Sequence, residues 1–262
     1  MGHSGSTLLD VLLNQHEQIQ SIGEVMFLDE WMEQKYLCSC GAKIHHCSFW
    51  KQVFERGNIS LGSMDDPNYL NHSVALFEAI AKVSDAPVIV DSSKSPQRLQ
   101  KLLAAPQLDV KVVHLVRNGL AVVNSLKKSH DRPGTGSDLR TPPTPAYRGI
   151  LRWVKRNRQI ERISRSLGAN SFLRVRYEDL CQDPEGVLGE ICELTGLEFN
   201  KAMLTPDLDN NHNISGSRWR FSEDDVVIKL DEKWKHQIGP GIKLLFQMIG
   251  GRLNKKYGYT FR

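Results

Sequence analysis

Four places along this chain carry residue types suited to holding an anion or doing chemistry beside one. The first is Gly2-His3-Ser4-Gly5-Ser6-Thr7, which runs directly into Leu8-Leu9-Asp10-Val11-Leu12-Leu13. A small-residue loop that opens an apolar helix presents consecutive backbone N–H groups where the helix dipole favours a phosphate or sulfate. The loop is not the nucleoside-triphosphatase form, which needs a lysine before the hydroxyl residue, because Gly5 is followed by Ser6-Thr7. A Gly/Ser turn capping an ordinary helix accounts for the same residues equally well. The second place is Glu24, an acid just after Gly23 and ahead of an amphipathic run. It is either a first-turn carboxylate serving the helix dipole or, if tied to the cradle, a base.

The third place is Lys94, in Ser92-Ser93-Lys94-Ser95-Pro96 behind the apolar run Pro87 to Asp91. A cation there can reach a bound anion, though a solvated loop lysine is as good a reading. The fourth is Arg117, at the end of Val110 to Val116, with Ser125 two helical turns further on. A fork donor and a hydroxyl on neighbouring levels form a grip for a phosphate monoester. His114, inside the same run, reads as a satisfied core histidine.

These residues need elements to hold them. The stretches 88–91, 110–116 and 171–177 are short, apolar and followed by polar loops and helical patterns, which predicts buried parallel strands in an α/β sheet. Chemistry in such sheets gathers at the carboxyl ends of the strands. Helices are expected from Ser6 to about Asn14, over 72–84, 147–167 and 185–195, and at roughly 223–236 and 239–256. Asp183 and Gly196 bound the 185–195 helix as cap and stop, and the basic face of 147–167 is expected to be solvated. The polar, basic segment from His212 to Arg220 is a loop, and 129–146, rich in Pro, Gly, Ser and Thr, is another that is placed to cover a site.

The cysteines stand apart from this pattern. Cys38, Cys40 and Cys47 crowd around His45 and His46. The ligand types suit zinc, but the spacing is compressed and no second Cys-x2-Cys pair follows, so a local Cys40–Cys47 link or reduced thiols packing a loop is expected instead. Five cysteines are not a secreted disulfide framework.

Composition sets the bounds. The chain has 262 residues, 40% of them hydrophobic and 24% charged, ordinary values for one soluble globular domain over 1–262 with a well-buried core. A net charge of +4 disfavours nucleic acid as a partner and suits an anionic small molecule. No apolar run approaches the roughly 18 residues that span a bilayer, and no secretory pattern opens the chain, so a cytoplasmic protein without a transmembrane segment is expected.

In order, these stretches resemble the sulfotransferases that use 3′-phosphoadenosine 5′-phosphosulfate, over nearly the whole chain. Gly2 to Leu9 is similar to that family's 5′-phosphosulfate loop. Leu115-Val116-Arg117-Asn118-Gly119 with Ser125 resembles its 3′-phosphate motif, Arg176-Tyr177-Glu178-Asp179-Leu180 the element whose tyrosine lies near the adenine, and Ser215 to Arg220 the segment that closes over the 3′-phosphate. The resemblance implies an α/β fold, a three-layer parallel sheet of the P-loop nucleoside triphosphate hydrolase-like type. It also implies transfer of a sulfuryl group to a hydroxyl or amine acceptor on a carbohydrate, lipid or small molecule, with no metal required. It assigns Ser4, Gly5, Ser6 and Thr7 to the 5′-phosphosulfate, Arg117 and Ser125 to the 3′-phosphate and Tyr177 to the adenine. Ser215, Gly216, Ser217 and Arg218 form the closing segment. Glu24 is the expected base, and Lys94 or His3 the stabiliser of the departing oxygen. The chain departs from the family in carrying His3 for a Lys or Arg, Leu8 for an adenine-stacking Trp, Asn118 for Asp and Leu120 for a frequent Arg.

Two other readings stand beside this one. A nucleotide kinase predicts a magnesium requirement, against which the absent loop lysine argues. A catalytically silent nucleotide-binding protein is the reading the His3, Asn118 and Leu120 departures favour. A cradle of this kind is normally delivered by a buried strand of about five or six residues, whereas Met1 stands directly before Gly2. The sheet is therefore expected to lack its first strand, the sequence being an N-terminally shortened form.

Overall fold

In the computed structural model of the protein, residues 2–33, 36–56, 59, 62–128, 130–131, 140–208, 211–216, 221 and 227–260 are described. Helix α1 spans Ser6–Leu13, opening behind Gly5 in the left-handed conformation at φ 94°. Its leucines are buried, and full burial of each such side chain contributes about 1.5–3 kcal/mol. Strand β1, Ile19–Gly23, follows, then a 3-10 turn over Val25–Phe27 and the short α2, Leu28–Glu33. β1 is an element the sequence reading lacks. Only Ile19 and Ile22 are bulky and apolar in it, so no alternation marks it, and pairing with β2, Val88–Asp91, makes it a strand.

Helix α3 covers Ser48–Glu55 and α4 Tyr69–Ser84, three residues longer at its start than expected. Pro96 opens α5, Pro96–Leu102, where the Ser95 hydroxyl caps the Arg98 N–H. β3, Val112–Val116, leads into α6, Gly119–Leu126, capped by the Asn118 side chain on Leu120 N–H. A two-residue ribbon, β4 (His130–Asp131) with β5 (Arg140–Thr141), precedes the long α7, Ala146–Ser164. Arg148, Arg152, Lys155, Arg158 and Arg162 on α7 and Arg165 just past it are exposed, as the solvated-face reading expects, whereas Arg156 of the same run is half-buried. β6, Phe172–Arg176, runs into α8, Tyr177–Gln182, and α9, Pro184–Thr195, has Asp183 on the Gly186 N–H and Gly196 at φ 74° as its two ends.

The helix expected over 223–236 is replaced by α10, Trp234–Gln237, four residues long, with 222–226 outside the described residues. Residues 227–230 are not helical; they belong to a run with β-branched Val227 and Ile228, whose Ile228 and Leu230 pack on the core that α1 shares with β3, β6 and α9. The final helix α11, Pro240–Lys256, falls where it is expected.

The strands form two parallel pairs. β1 and β2 align Ile19 with Val88 and Gly23 with Asp91, and β3 and β6 align Val112 with Phe172 and Val116 with Arg176. Among the described residues no ladder joins the two pairs. One core lies between α1, β1, β3, β6 and α9, a second among α6, α7 and α11, and a third around Trp50, Tyr69 and Ile80 under the 25–55 segment. His114, on β3, is buried in the core as expected and its Nε2 donates to Asn157 Oδ1 at 2.9 Å, but it is only half satisfied, since its Nδ1 is buried with no partner among the described residues; burial pushes its pKa down to about 3.

Candidate active site

Within each pair the parallel strands share a carboxyl edge; Glu24, Lys94, Arg117 and Tyr177 follow strand ends, the opening loop begins α1, and Ser125 lies inside α6. On the first pair, Gly23 leads to Glu24 and Asp91 to the loop Ser92–Ser95. That loop is stitched to the Glu24 corner. Ser92 N–H donates to the Gly23 carbonyl at 2.8 Å, Met26 N–H donates to Ser93 Oγ at 3.0 Å, and Asp91 holds Ser93 N–H at 2.8 Å. Asp91 is itself held by Arg98 Nε at 2.7 Å. The stitching brings Lys94 Nζ to 2.5 Å from Glu24 Oε1, with both side chains at most one-fifth exposed. Glu24 stands at the cap position of the 3-10 turn without capping it, and its backbone N–H donates to the Ile214 carbonyl at 2.8 Å.

On the second pair, Val116 leads to Arg117. Its Nη1 donates to the His3 carbonyl at 3.3 Å, and its Nη2 donates to the Asp231 carbonyl at 3.2 Å and carboxylate at 3.1 Å. Arg117 Nε is buried and finds no acceptor among the described residues. The guanidinium sits 4.4 Å from the centroid of the Tyr177 ring, the first residue past β6. Tyr177 is buried, its hydroxyl donates to the Lys229 carbonyl at 3.3 Å, and burial pushes its pKa up to about 12. A Cβ on Gly5 would lie 2.3 Å from the same ring, so only glycine lets the loop approach this closely. Ser125, on α6, meets His3 Nδ1 at 3.0 Å.

The opening loop and α1 therefore touch both strand pairs. His3 reaches Arg117 and Ser125 on the second, and Asp10 accepts a short hydrogen bond from the Ser92 hydroxyl on the first. Asp10 is 5% exposed, and burial raises its pKa to about 6 against the pull of Lys94 and Ser92. Sequence reading passed over it; an acid inside an apolar helical run was the available signal.

Backbone strain concentrates here. Among the described residues, the non-glycine positive φ angles are His3 at 66°, Asp85 at 54°, Lys94 at 56° and Ser215 at 64°. Asp85 ends α4; the other three are candidate site residues, and strain of about 1–3 kcal/mol each persists only where the surroundings enforce it. Ser215 and Gly216 follow Ile214, which bridges to Gly23, whereas Ser217 and Arg218 lie outside the described residues.

A helix-opening loop of small residues whose His3 meets Arg117 and Ser125, beside pairs of parallel strands, is the arrangement of an α/β protein of the P-loop-like type. Residues 1–201 match the model of the sulfotransferase family, and the chain belongs to that family of enzymes. Carbohydrate sulfotransferase 5 of Mus musculus is 27% identical over 256 residues, covering 86% of this chain and 59% of that protein, so the chain spans less than two thirds of its relative. The fold is shared with the sulfotransferase domain from the curacin biosynthetic pathway, at TM-score 0.62 and 21% identity over 99% of this chain and 95% of that one. It is shared too with the sulfotransferase domain of the Synechococcus PCC 7002 olefin synthase, at TM-score 0.59 and 20% identity over 100% of this chain and 93% of that one. No helix among the described residues is long and apolar enough to cross a membrane.

Proposed function

We propose that the chain is one sulfotransferase domain that moves a sulfuryl group from 3′-phosphoadenosine 5′-phosphosulfate to an acceptor hydroxyl. The observation that carries this reading is the contact of the opening loop, through His3, with Arg117 and Ser125, together with the Glu24–Lys94 pair past the ends of β1 and β2. A donor with a phosphate at each end of a nucleoside needs two anion grips. The N–H groups of Gly5, Ser6 and Thr7, with Ser4 buried behind them, take the 5′-phosphosulfate. Arg117 and Ser125 take the 3′-phosphate, for which the Arg117 fork must exchange Asp231 for the phosphate. Tyr177 carries the Arg117 plane and borders the adenine, and Ser215 with Gly216 begins the segment that closes over the nucleotide.

In the reaction, the acceptor oxygen attacks sulfur as its proton passes to the Glu24 carboxylate. The new O–S bond forms as the bond from sulfur to the 5′-phosphate oxygen breaks, and the charge left on that oxygen is met by Lys94 and His3. Lys94, already on Glu24, orients the base until the donor arrives. Sulfuryl transfer of this kind is positioning plus charge stabilisation, comparable with phosphoryl transfer. A sugar hydroxyl is the acceptor class favoured first, because the mouse relative is a carbohydrate sulfotransferase.

The test is titration with adenosine 3′,5′-bisphosphate in the absence of magnesium, followed by turnover of sulfur-labelled donor against carbohydrate, lipid and small hydroxyl acceptors. Tight metal-independent binding and label transfer to one class support the reading. Binding without any transfer makes the chain a silent nucleotide-binding protein, and a strict magnesium requirement makes it a nucleotide kinase.

A further inference from the structure

Of the two local readings of the three crowded cysteines, the Cys40–Cys47 link is absent and the thiols are reduced. All five cysteines are free, and Cys40 Sγ stands 3.6 Å from Cys47 Sγ, well beyond the ~2.05 Å of a disulfide. A fourth ligand type comes from far along the chain. His212 Nδ1 lies 3.3 Å from Cys47 Sγ and 3.8 Å from Cys38 Sγ, and the four ligand atoms of Cys38, Cys40, Cys47 and His212 all fall within 4.8 Å of one another.

These separations match a metal's coordination shell. Zinc bonds of about 2.3 Å to sulfur and 2.0–2.1 Å to nitrogen, set tetrahedrally, put neighbouring ligand atoms about 3.5–3.8 Å apart. The backbone is shaped to present them. Cys38 N–H donates to the Ala42 carbonyl at 2.8 Å and Gly41 N–H to the Cys38 carbonyl at 2.9 Å, a tight knuckle completed by Gly41 at φ 84°. The 3-10 turn Ile44–His46 then returns Cys47 to the knuckle. His212 is fixed from behind, its ring stacked on Phe49 at 5.0 Å and its carbonyl held by Trp50 Nε1 at 2.8 Å. Such outer support orients ligating histidines.

We propose that Cys38, Cys40, Cys47 and His212 bind one zinc ion as a closed structural site that clamps the 211–216 segment to the Glu24 corner. Four protein ligands leave no open position, so the ion does no chemistry on substrate. On binding, the three thiols lose their protons to solvent and the imidazole binds through neutral Nδ1. The mechanical consequence runs two residues along the chain. Ser39 N–H donates to the Asn213 carbonyl at 3.1 Å, Ile214 bridges to both Cys38 and Gly23, and the Ile214 carbonyl holds the Glu24 N–H. The metal site stands independently of the donor assignment; only its importance for catalysis rests on the proposed role of Glu24.

Metal analysis of the full chain purified without added metal or chelator tests the site. About one zinc per chain is expected, and cobalt in its place should give the intense visible bands of tetrahedral thiolate coordination. Cys47→Ser or His212→Ala should lower zinc affinity at least ~10-fold, whereas Cys181→Ser keeps full zinc. Cys40→Ser, at the exposed ligand, is the variant to use should those two fail to fold. Removing zinc from the wild-type chain should raise hydrogen exchange at the Glu24 and Ile214 amides. Less than about 0.1 zinc per chain after zinc is supplied overturns the site, as does a Cys40–Cys47 disulfide seen by mass as the loss of two hydrogens. Full zinc with exchange at Glu24 unmoved by its removal overturns the clamp. Neither readout involves a sulfate donor, so a failure here is separate from a failure of the sulfotransfer assignment.

Discussion

Lys94 Nζ and Glu24 Oε1 are 2.5 Å apart at the carboxyl ends of β1 and β2, Glu24 directly after Gly23 and Lys94 three residues after Asp91, which Gly23 pairs across a register shift. The pair is partly buried, so the two groups hold one another in a fixed geometry that free side chains would not keep.

From this pairing, Glu24→Gln should lower turnover by ~10²-fold or more while leaving the affinity for adenosine 3′,5′-bisphosphate nearly unchanged. The conservative amide keeps the hydrogen bond from Lys94 and removes only the basic oxygen. Steady-state kinetics with a saturating acceptor, paired with calorimetry, provides the two numbers. Turnover above about a tenth of wild type would move the base elsewhere.

Arg117→Ala should weaken adenosine 3′,5′-bisphosphate by about 1.5–3 kcal/mol, the worth of a charge-assisted hydrogen bond, and adenosine 5′-phosphate much less. Asp231→Asn should act the opposite way. Its carboxylate occupies Arg117 Nη2 in the absence of ligand, so removing its charge should tighten the bisphosphate. Equal effects on both nucleotides would show that Arg117 does not meet the 3′-phosphate.

Asp10 makes stability depend on pH. Its folded pKa of about 6 lies above the ordinary 3.8, so the folded state binds the proton more tightly than the unfolded chain does. That contribution is fully present below pH 3.8 and is lost as pH rises through 6. Asp10→Asn should therefore stabilise the chain by up to about 3 kcal/mol above that range, two units at ~1.4 kcal/mol each, and by little at pH 4. Urea unfolding at the two pH values checks it; an equal gain at both would assign the effect to packing alone.

Gly5→Ala should cost about 1–3 kcal/mol and at least ~10-fold in nucleotide affinity, because the residue sits at φ 94° and its new Cβ would press into the Tyr177 ring. The ring cannot retreat without releasing Arg117 from its face. Gly2→Ala, with open space around its Cβ, should be nearly silent in both unfolding and binding measurements.

Local sequence determined the features whose causes are local. The apolar runs at 88–91, 112–116 and 172–176 became strands, Asp183 and Gly196 bounded α9, and small residues before Leu8 opened α1, because burial of uniform apolar runs and side-chain capping act over a few residues. The order of strand ends also placed Arg117, Tyr177 and Lys94 at strand carboxyl ends in advance, since each lies at or just past the end of an apolar run. Tertiary structure alone decided the rest. β1 is a strand because β2 supplies its ladder, Asp10 is strained electrically because α1 sinks it beside Ser92, and residues 227–230 stay out of a helix with Ile228 and Leu230 packed on the core that α1 shares with β3, β6 and α9. Asp231 reaches Arg117 over 114 residues and His212 reaches Cys47 over 165, separations at which no spacing rule operates. Such partners are selected by the fold's geometry, through burial and unsatisfied charge, and a linear pattern carries no record of that selection.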